Sequence, residues 1–141
     1  MNIALATLAD ALALTALDQA QAFSAHWSEM NWRAELVYPA ARVWCARLRK
    51  KIIGFITVRG AAGQFEITNL AVDKMYTRQG IGFALLAHVL TQLNVKHLTL
   101  EVSESNQPAR VLYEKYGFRI VGIRKQFYTN GTDALLMERT L

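Results

Sequence analysis

Two glycines at the start of an amphipathic helix pattern constrain this chain more than any other feature. Gly80 and Gly82 come just before apolar residues that recur at three- and four-residue steps: Ala84, Leu85, Leu86, Val89, Leu90 and Leu93. A helix start leaves several backbone N–H groups unpaired, and residues without Cβ let a ligand approach them closely. With the helix dipole and the charge of Arg78, the turn predicts a phosphate site. The alternative is a loop that needs glycine only to turn. Because position 85 is Leu, this is not a dinucleotide-binding G-x-G-x-x-G.

The strand before this turn changes phase. Phe65 and Ile67 alternate on one face, whereas the apolar pair Leu70 and Val72 falls in the opposite phase. A shift of one residue is typical of a β-bulge, which leaves backbone groups free for a ligand. A strand buried on both faces would give the same pattern, so both interpretations stay open.

The composition predicts one folded domain over residues 1–141, because 52% of the residues are hydrophobic and only 19% are charged. One cysteine, Cys45, forbids an internal disulfide and fits a reducing, cytoplasmic compartment. Residues 1–17 are apolar but lack a basic start, and Asp10 and Asp18 interrupt them. We therefore expect no signal peptide and no membrane span.

The net charge of +5 suits an anionic ligand. The Lys and Arg residues are scattered, without a basic stripe interleaved with aromatic residues, so we expect no specific nucleic-acid binding. His26, His88 and His97 lack metal-ligand spacing, so no metal site is predicted. The sequence predicts no particular oligomeric state.

The remaining pattern predicts an α/β domain with a mixed sheet. Strands are predicted over residues 2–7, 42–48, 51–59, 65–72, 96–102, 118–124 and 134–140. Helices are predicted from an Asp10 cap to about Phe23, from a Ser28 cap to Leu36, from Thr77 or Gln79 to Leu93, and from Ser105 or Asn106 to Tyr116.

Several ordered motifs together resemble a known family. The segments Asn69-Leu70-Ala71-Val72-Asp73, Arg78-Gln79-Gly80-Ile81-Gly82 and Ala84-Leu85-Leu86 are similar to the acetyl-coenzyme A motif of the GNAT N-acetyltransferases. A second set resembles the RimI type: Leu100-Glu101-Val102, Ser105-Asn106, Leu112-Tyr113-Glu114 and Gly117-Phe118. That type acetylates the N-terminal alanine of a small-subunit ribosomal protein. The resemblance is strong from about Thr68 to Phe118, continues through Arg124 and Tyr128, and is loose before Ile53.

The resemblance implies the GNAT fold, a mixed and mostly antiparallel sheet with a β-bulge in the cofactor strand and helices on its faces. It implies acetyl-CoA as co-substrate and no metal. The residues implied to contact the cofactor are Leu70, Ala71, Val72, Arg78, Gln79, Gly80, Ile81, Gly82, Phe83 and Asn106. The family pattern has Gln or Arg where this chain has Thr77. We therefore expect some loss of cofactor contact but no loss of function.

Acetyl transfer to an amine needs a base for the amine and a proton for the departing thiolate. By resemblance, Glu101 is the base and Tyr113 is the acid that protonates the sulfur of coenzyme A. Each has a structural alternative: Glu101 as an exposed residue of a sheet face, and Tyr113 as a core residue near Tyr116. Glu66, on the strand with the bulge, is the rival base. No Ser-His-Asp arrangement is visible, so direct transfer in a ternary complex is expected.

A protein N-terminus is the predicted acceptor. At pH 7.5 about a third of an α-amine is neutral, against roughly one lysine in a thousand, so a modest base suffices. The loop Lys125 to Asp133 looks shorter than the family's, and its Tyr128 either lines the peptide groove or anchors the loop. The alternatives are a lysine side chain or a small amine as acceptor, or a non-catalytic module that binds coenzyme A or a partner, for which Thr77 is the only support.

Overall fold

The alternating apolar stretches form one seven-stranded sheet in the computed structural model, which describes residues 1–141. The strands are β1 Asn2–Leu5, β2 Ala41–Leu48, β3 Lys51–Ala61, β4 Gln64–Val72, β5 His97–Ser103, β6 Arg119–Arg124 and β7 Ala134–Thr140. Their order across the sheet is β1-β2-β3-β4-β5-β7-β6, and only the β4–β5 pair is parallel. The predicted α/β class with a mostly antiparallel sheet is confirmed.

Four helices cover the two faces of the sheet: α1 Ala11–Ala20, α2 Glu29–Val37, α3 Ile81–Gln92 and α4 Gln107–Lys115. The caps predicted for α2 and α4 are present. The Ser28 hydroxyl accepts the Asn31 N–H at 3.1 Å, and the Asn106 side chain accepts the Ala109 N–H at 3.3 Å. Each helix start is therefore fixed locally by its own sequence.

The predicted start of α3 is wrong by two to four residues, since the helix begins at Ile81. Arg78 and Gly80 have φ values of +62° and +78°. An α-helix of L-residues cannot run through left-handed backbone, so the chain first makes a tight turn and enters the helix after Gly80. The glycine turn is thus separate from the helix and lies at its amino end.

Asp10 does not cap α1 in the predicted manner, because its side chain makes no bond to the first turn of that helix. Its carboxylate instead accepts the Thr7 N–H at 2.8 Å and pairs with Arg47 at 2.7 Å. The helix also ends at Ala20, three residues before the predicted end at Phe23. Residues 21–28 therefore form a longer connection between α1 and α2 than the sequence indicates.

The β-bulge predicted in the cofactor strand is confirmed. The register shifts between Thr57 and Val58 of β3, which leaves Thr68 of β4 as the extra residue. The extra residue returns the later apolar side chains of β4 to the face of the earlier ones. As a result four residues pack against the same core: Phe65, Ile67, Leu70 and Val72.

The core is divided between the two faces of the sheet. A larger cluster of 18 buried residues lies on the side of α3 and α4, and a smaller cluster of 8 lies on the side of α1 and α2. Trp32 is fully buried in the smaller cluster and packs edge-to-face on Phe55, with ring centroids 4.9 Å apart. Cys45 lies in the same cluster, and burial raises the pKa of its thiol to about 12. None of the helices combines the length and the apolar character needed to cross a membrane.

Candidate active site

The two central strands separate in the middle of the sheet. The parallel pairing of β4 with β5 covers only four residue pairs and ends at Ile67 and Leu100. Beyond this point, which we call the fork, β4 stays paired with β3 and β5 stays paired with β7. The edges that face each other across the fork therefore carry backbone groups without a strand partner.

The direction of these backbone groups follows from one hydrogen bond. Asp73 donates its N–H to the Ile53 carbonyl at 2.8 Å, which is toward β3. Because successive amides of a strand point in opposite directions, the amides of Leu70 and Val72 point into the fork. Ala71 lies between them, with its side chain buried in the smaller core cluster. Leu70, Ala71 and Val72 are thus placed where the sequence predicts contact with a ligand, and their roles stay predictions.

The turn before α3 presents a second set of free donors. The first-turn N–H groups of Ile81, Gly82 and Phe83 have no partner within the helix, since Ala84 is the first residue to donate back, to Gly80 at 2.9 Å. A Cβ added to Gly80 would have no atom within 4 Å. The space over these donors is open, and a phosphate can approach them without obstruction.

The side chains around this turn leave it positively charged. Arg78 and Gln79 are exposed, and Arg78 makes no ion pair. Thr77, the departure from the family pattern, donates its hydroxyl to the Lys74 carbonyl at 3.3 Å and so supports the turn. Free N–H groups with an adjacent guanidinium suit a diphosphate. The unpaired backbone groups at the fork suit a ligand arm that contains amide groups. The residues present therefore fit coenzyme A.

The conformation of Gly80 leads to a direct test. A Gly80→Ala variant strains the left-handed turn that sets the direction of the free donors of α3, so we expect the KM for acetyl-CoA to rise by about tenfold, the equivalent of one charged hydrogen bond. The control is Gly117→Ala, because Gly117 has a similar φ of +84° and its added Cβ meets no atom closer than 3.8 Å. Both variants carry the same left-handed strain. The measurement is steady-state kinetics. An equal rise of the KM for acetyl-CoA in Gly80→Ala and Gly117→Ala would contradict a phosphate site at Gly80.

Glu101 is the first residue of β5 beyond the fork. Its neighbours Leu100 and Val102 are buried in the larger core cluster, so Glu101 points to the opposite face, the side of α1 and α2. Its side chain is 29% exposed and pairs with Arg124 at 3.2 Å. Burial, and next the negative charge of Glu101, raise the pKa of Tyr128. A carboxylate, a guanidinium and a phenol from three segments therefore meet beside the fork.

The rival carboxylate occupies a different place. Glu66 lies within the paired part of β4, opposite Thr99, and its charge acts on Arg59. It is exposed but lies on the closed side of the fork, away from the unpaired edges. The position of Glu101 is therefore better suited to a base than that of Glu66.

Tyr113 projects from α4 into the larger core cluster. It is 5% exposed and packs edge-to-face on Phe118, with ring centroids 5.5 Å apart. Burial raises the pKa of its hydroxyl well above the usual range. The Tyr113 hydroxyl makes no hydrogen bond within the protein, so no neighbouring group holds its proton.

Asn106 and Tyr116 occupy supporting positions at the two ends of α4. The Asn106 oxygen caps the helix, and its amide nitrogen makes no bond within the protein. Tyr116 donates its hydroxyl to the Phe83 carbonyl at 3.3 Å, and its ring packs on that of Phe83 at 4.3 Å between centroids. The structure therefore gives Tyr113 and Tyr116 different surroundings, although both lie at helical spacing in the sequence.

A groove of about 580 Å3 lies away from the fork, between α1 and the β2–β3 turn. The fork is the better candidate for the active site, because it carries unpaired backbone groups and facing carboxylate and phenol side chains. No group of three or more His, Cys, Asp or Glu side chains is placed to hold a metal ion.

Comparison with known proteins agrees with this arrangement. The family model described as acetyltransferase (GNAT) domain matches residues 11–141. The N-alpha-acetyltransferase RimI of Mycobacterium tuberculosis is 31% identical over 118 residues, 80% of this chain and 75% of that protein. The ribosomal protein bS18-alanine N-acetyltransferase of Escherichia coli K12 is 40% identical over 93 residues, 62% of this chain and 63% of that protein.

A solved structure gives the same result over the whole fold. The crystal structure of the ribosomal-protein-S18-alanine N-acetyltransferase from Escherichia coli superimposes with a TM-score of 0.88 at 30% identity, and the match covers 99% of this chain and 92% of that one. With its forked sheet, its bulged strand and the glycine turn before α3, this chain belongs to the GNAT family of acetyltransferases.

Proposed function

We propose that this chain transfers the acetyl group of acetyl-CoA to a protein N-terminal α-amine, that of the N-terminal alanine of a small-subunit ribosomal protein, by direct transfer in a ternary complex. The name of the relative from Escherichia coli supports a ribosomal-protein alanine as acceptor, and the name of the relative from Mycobacterium tuberculosis supports an N-terminal α-amine. The observation that carries the proposal is the position of Glu101, one residue beyond the fork and on the face opposite α3 and α4.

The donor side of the reaction uses the free backbone groups. Acetyl-CoA supplies an activated thioester when it is bound. The N–H groups of Ile81, Gly82 and Phe83, with Arg78, hold its phosphates, while the amides of Leu70 and Val72 bond its amide-containing arm. An N–H of the bulged strand also stabilises the negative charge that develops on the acetyl oxygen.

The acceptor side of the reaction lies across the fork. Glu101 accepts a proton from the incoming α-ammonium, directly or through water, and Arg124 orients the carboxylate through their ion pair. Tyr113 donates its phenolic proton to the departing sulfur. Since an α-amine has a reference pKa of about 7.7 to 8.0, a sizeable fraction of it is already neutral near pH 7.5, and it is easier to deprotonate than a lysine side chain.

The proposal is tested with two peptides of the same sequence. Both contain an internal lysine. One carries the free N-terminal alanine of the ribosomal protein, and the other is blocked at its N-terminus. Intact-mass analysis after incubation with enzyme and acetyl-CoA is expected to show one added acetyl group on the free N-terminus alone. Acetylation of the blocked peptide would instead identify a lysine acetyltransferase. Absence of product on both peptides, with coenzyme A still bound, would overturn the proposed acceptor.

A further inference from the structure

Asp18 is a charged side chain that the reaction above does not use. It lies in the last turn of α1 and is 0% exposed, yet it pairs with no Lys, Arg or His. Its carboxylate accepts four hydrogen bonds, from the N–H of His26 at 2.9 Å, the N–H of Trp27 at 2.8 Å, Nε1 of Trp32 at 3.1 Å and Nδ2 of Asn69 at 3.1 Å. A buried carboxylate is costly unless its oxygens are bonded in this way.

Asn69 extends the same arrangement onto the bulged strand. It is 5% exposed, lies directly after the extra residue Thr68, and accepts the Ala25 N–H at 3.1 Å through Oδ1. Three successive backbone N–H groups, those of residues 25–27, are therefore bound by two side chains, Asp18 at 8 and 9 positions and Asn69 at 44 positions along the chain. The middle one belongs to His26, whose φ of +59° is unfavourable for a residue with a Cβ. These bonds hold the connection in this conformation, together with those that Gln19 Nε2 donates to the His26 and Trp27 carbonyls, both at 3.0 Å.

The connection between α1 and α2, residues 21–28, is thereby fixed at the fork. On β4, Asn69 lies two residues beyond the last β4–β5 pair. On β5, Glu101 lies one residue beyond the same pair. Because Asn69 bonds to α1, its side chain points to the same face as Glu101. The connection therefore lies on the face from which the proposed acceptor approaches Glu101.

We propose that Asp18 and Asn69 are positioning residues that hold residues 21–28 as one wall of the acceptor cleft. They act on acceptor binding and not on acetyl-CoA binding, because neither side chain bonds the turn before α3 or the amides of Leu70 and Val72 that are proposed to hold acetyl-CoA. This inference rests on the proposed function, because it assumes an acceptor that enters beside Glu101.

The test is Asp18→Asn, which keeps the size of the side chain but removes its charge and one accepting oxygen. We expect the KM for the free-N-terminus peptide to rise by about tenfold, the equivalent of one charged hydrogen bond, while the KM for acetyl-CoA stays within about twofold. Amide hydrogen exchange at residues 25–27 is expected to quicken by a similar factor. Asn69→Ser, which removes the other acceptor, should shift the same two quantities and serves if Asp18→Asn folds poorly.

The matched control is Glu35→Gln. Glu35 is also a buried carboxylate, 4% exposed, but it lies in α2 and bonds Nε of Arg59 at 2.9 Å, away from the fork. A merely structural role for Asp18 predicts the same kinetic change in both variants, whereas positioning predicts an increase in acceptor KM for Asp18→Asn alone. A joint rise of the acceptor and acetyl-CoA KM values, or unchanged exchange at residues 25–27, would overturn the inference.

The experiment separates this inference from the proposed function. If the wild-type enzyme acetylates lysine or a small amine instead of the N-terminus, the proposed acceptor is wrong, and the same KM comparison is made with the amine that reacts. If no amine reacts, hydrogen exchange at residues 25–27 decides the anchoring, and unchanged exchange refutes it.

Discussion

A Glu101→Gln variant is expected to lose activity on the N-terminal peptide by about 100-fold or more in kcat at pH 7.5, because general bases contribute roughly 100- to 10,000-fold. Glutamine keeps the shape of the side chain but cannot take the ammonium proton. The variant then depends on amine that solvent has already deprotonated. Between pH 6.5 and pH 9 the neutral fraction of an α-amine rises by about twentyfold, and the rate of the variant should rise with it. The measurement is steady-state kinetics over this pH range.

Glu66→Gln is the matched control for this experiment. Glu66 is also an exposed sheet carboxylate, but it lies on the paired side of the fork. We expect its kcat to remain within about threefold of wild type. A large loss in Glu66→Gln with little in Glu101→Gln would assign the base to Glu66. The two variants should differ little in free energy of unfolding. The Glu101–Arg124 ion pair is partly exposed, and such pairs contribute about 0 to 1 kcal/mol.

Tyr113→Phe is expected to lower kcat by about 10- to 100-fold while both KM values stay near wild type, because the hydroxyl acts on the leaving thiolate alone. The protein should fold normally, since this hydroxyl makes no hydrogen bond in the structure and its loss leaves no partner unsatisfied. Tyr116→Phe is the control, because its hydroxyl bonds the Phe83 carbonyl and is not proposed to transfer a proton. Equal loss of kcat in both variants would contradict the assignment of Tyr113 as the acid.

The raised pKa of Tyr113 gives this prediction a pH dependence. Burial holds the phenol in its protonated form, so the wild-type rate should show no decline caused by Tyr113 ionisation up to about pH 10, the reference value for tyrosine. The unfolded chain releases this proton more readily than the folded chain. The stability contributed by neutral Tyr113 is therefore complete below about pH 10 and is lost as the pH rises through its folded-state pKa. Tyr113→Phe should reduce the alkaline loss of stability in thermal unfolding.

Local patterns in the sequence were sufficient for much of the fold. The Gly80 turn before an apolar run predicts α3, because this signal depends on neighbouring residues. The phase change between Ile67 and Leu70 is compatible with a bulge and with a strand buried on both faces, and the family resemblance favours the bulge. The exact start of α3 was not predictable, since nothing in the sequence marks the positive φ of Arg78. The residue type at position 78 does not reveal this backbone geometry, because several residue types can adopt it.

Contacts between distant residues were beyond what one sequence could predict. The bond between Asp18 and Asn69 joins residues 51 positions apart, and the Glu101–Arg124 pair joins two strands separated by β7 in the sheet. A signal for Asp18 was nevertheless present, because it follows Leu14 by four residues and so shares the buried face of α1. The proposed roles of Glu101 and Tyr113 came from family resemblance, and their alternatives could not be excluded from the residues alone.

The unequal division of the core between the two faces of the sheet affects how such a chain can diversify. Only 8 buried residues hold α1 and α2 to the sheet, whereas 18 hold α3 and α4. The α1–α2 layer should therefore open at a lower free energy than the rest of the fold and tolerate more sequence change. We expect substitutions in this thinner layer to change which amines are accepted without disturbing the turn proposed to bind the acetyl donor. New acceptor preferences can thus evolve in the α1–α2 layer while the turn before α3 keeps the shared site for the acetyl donor.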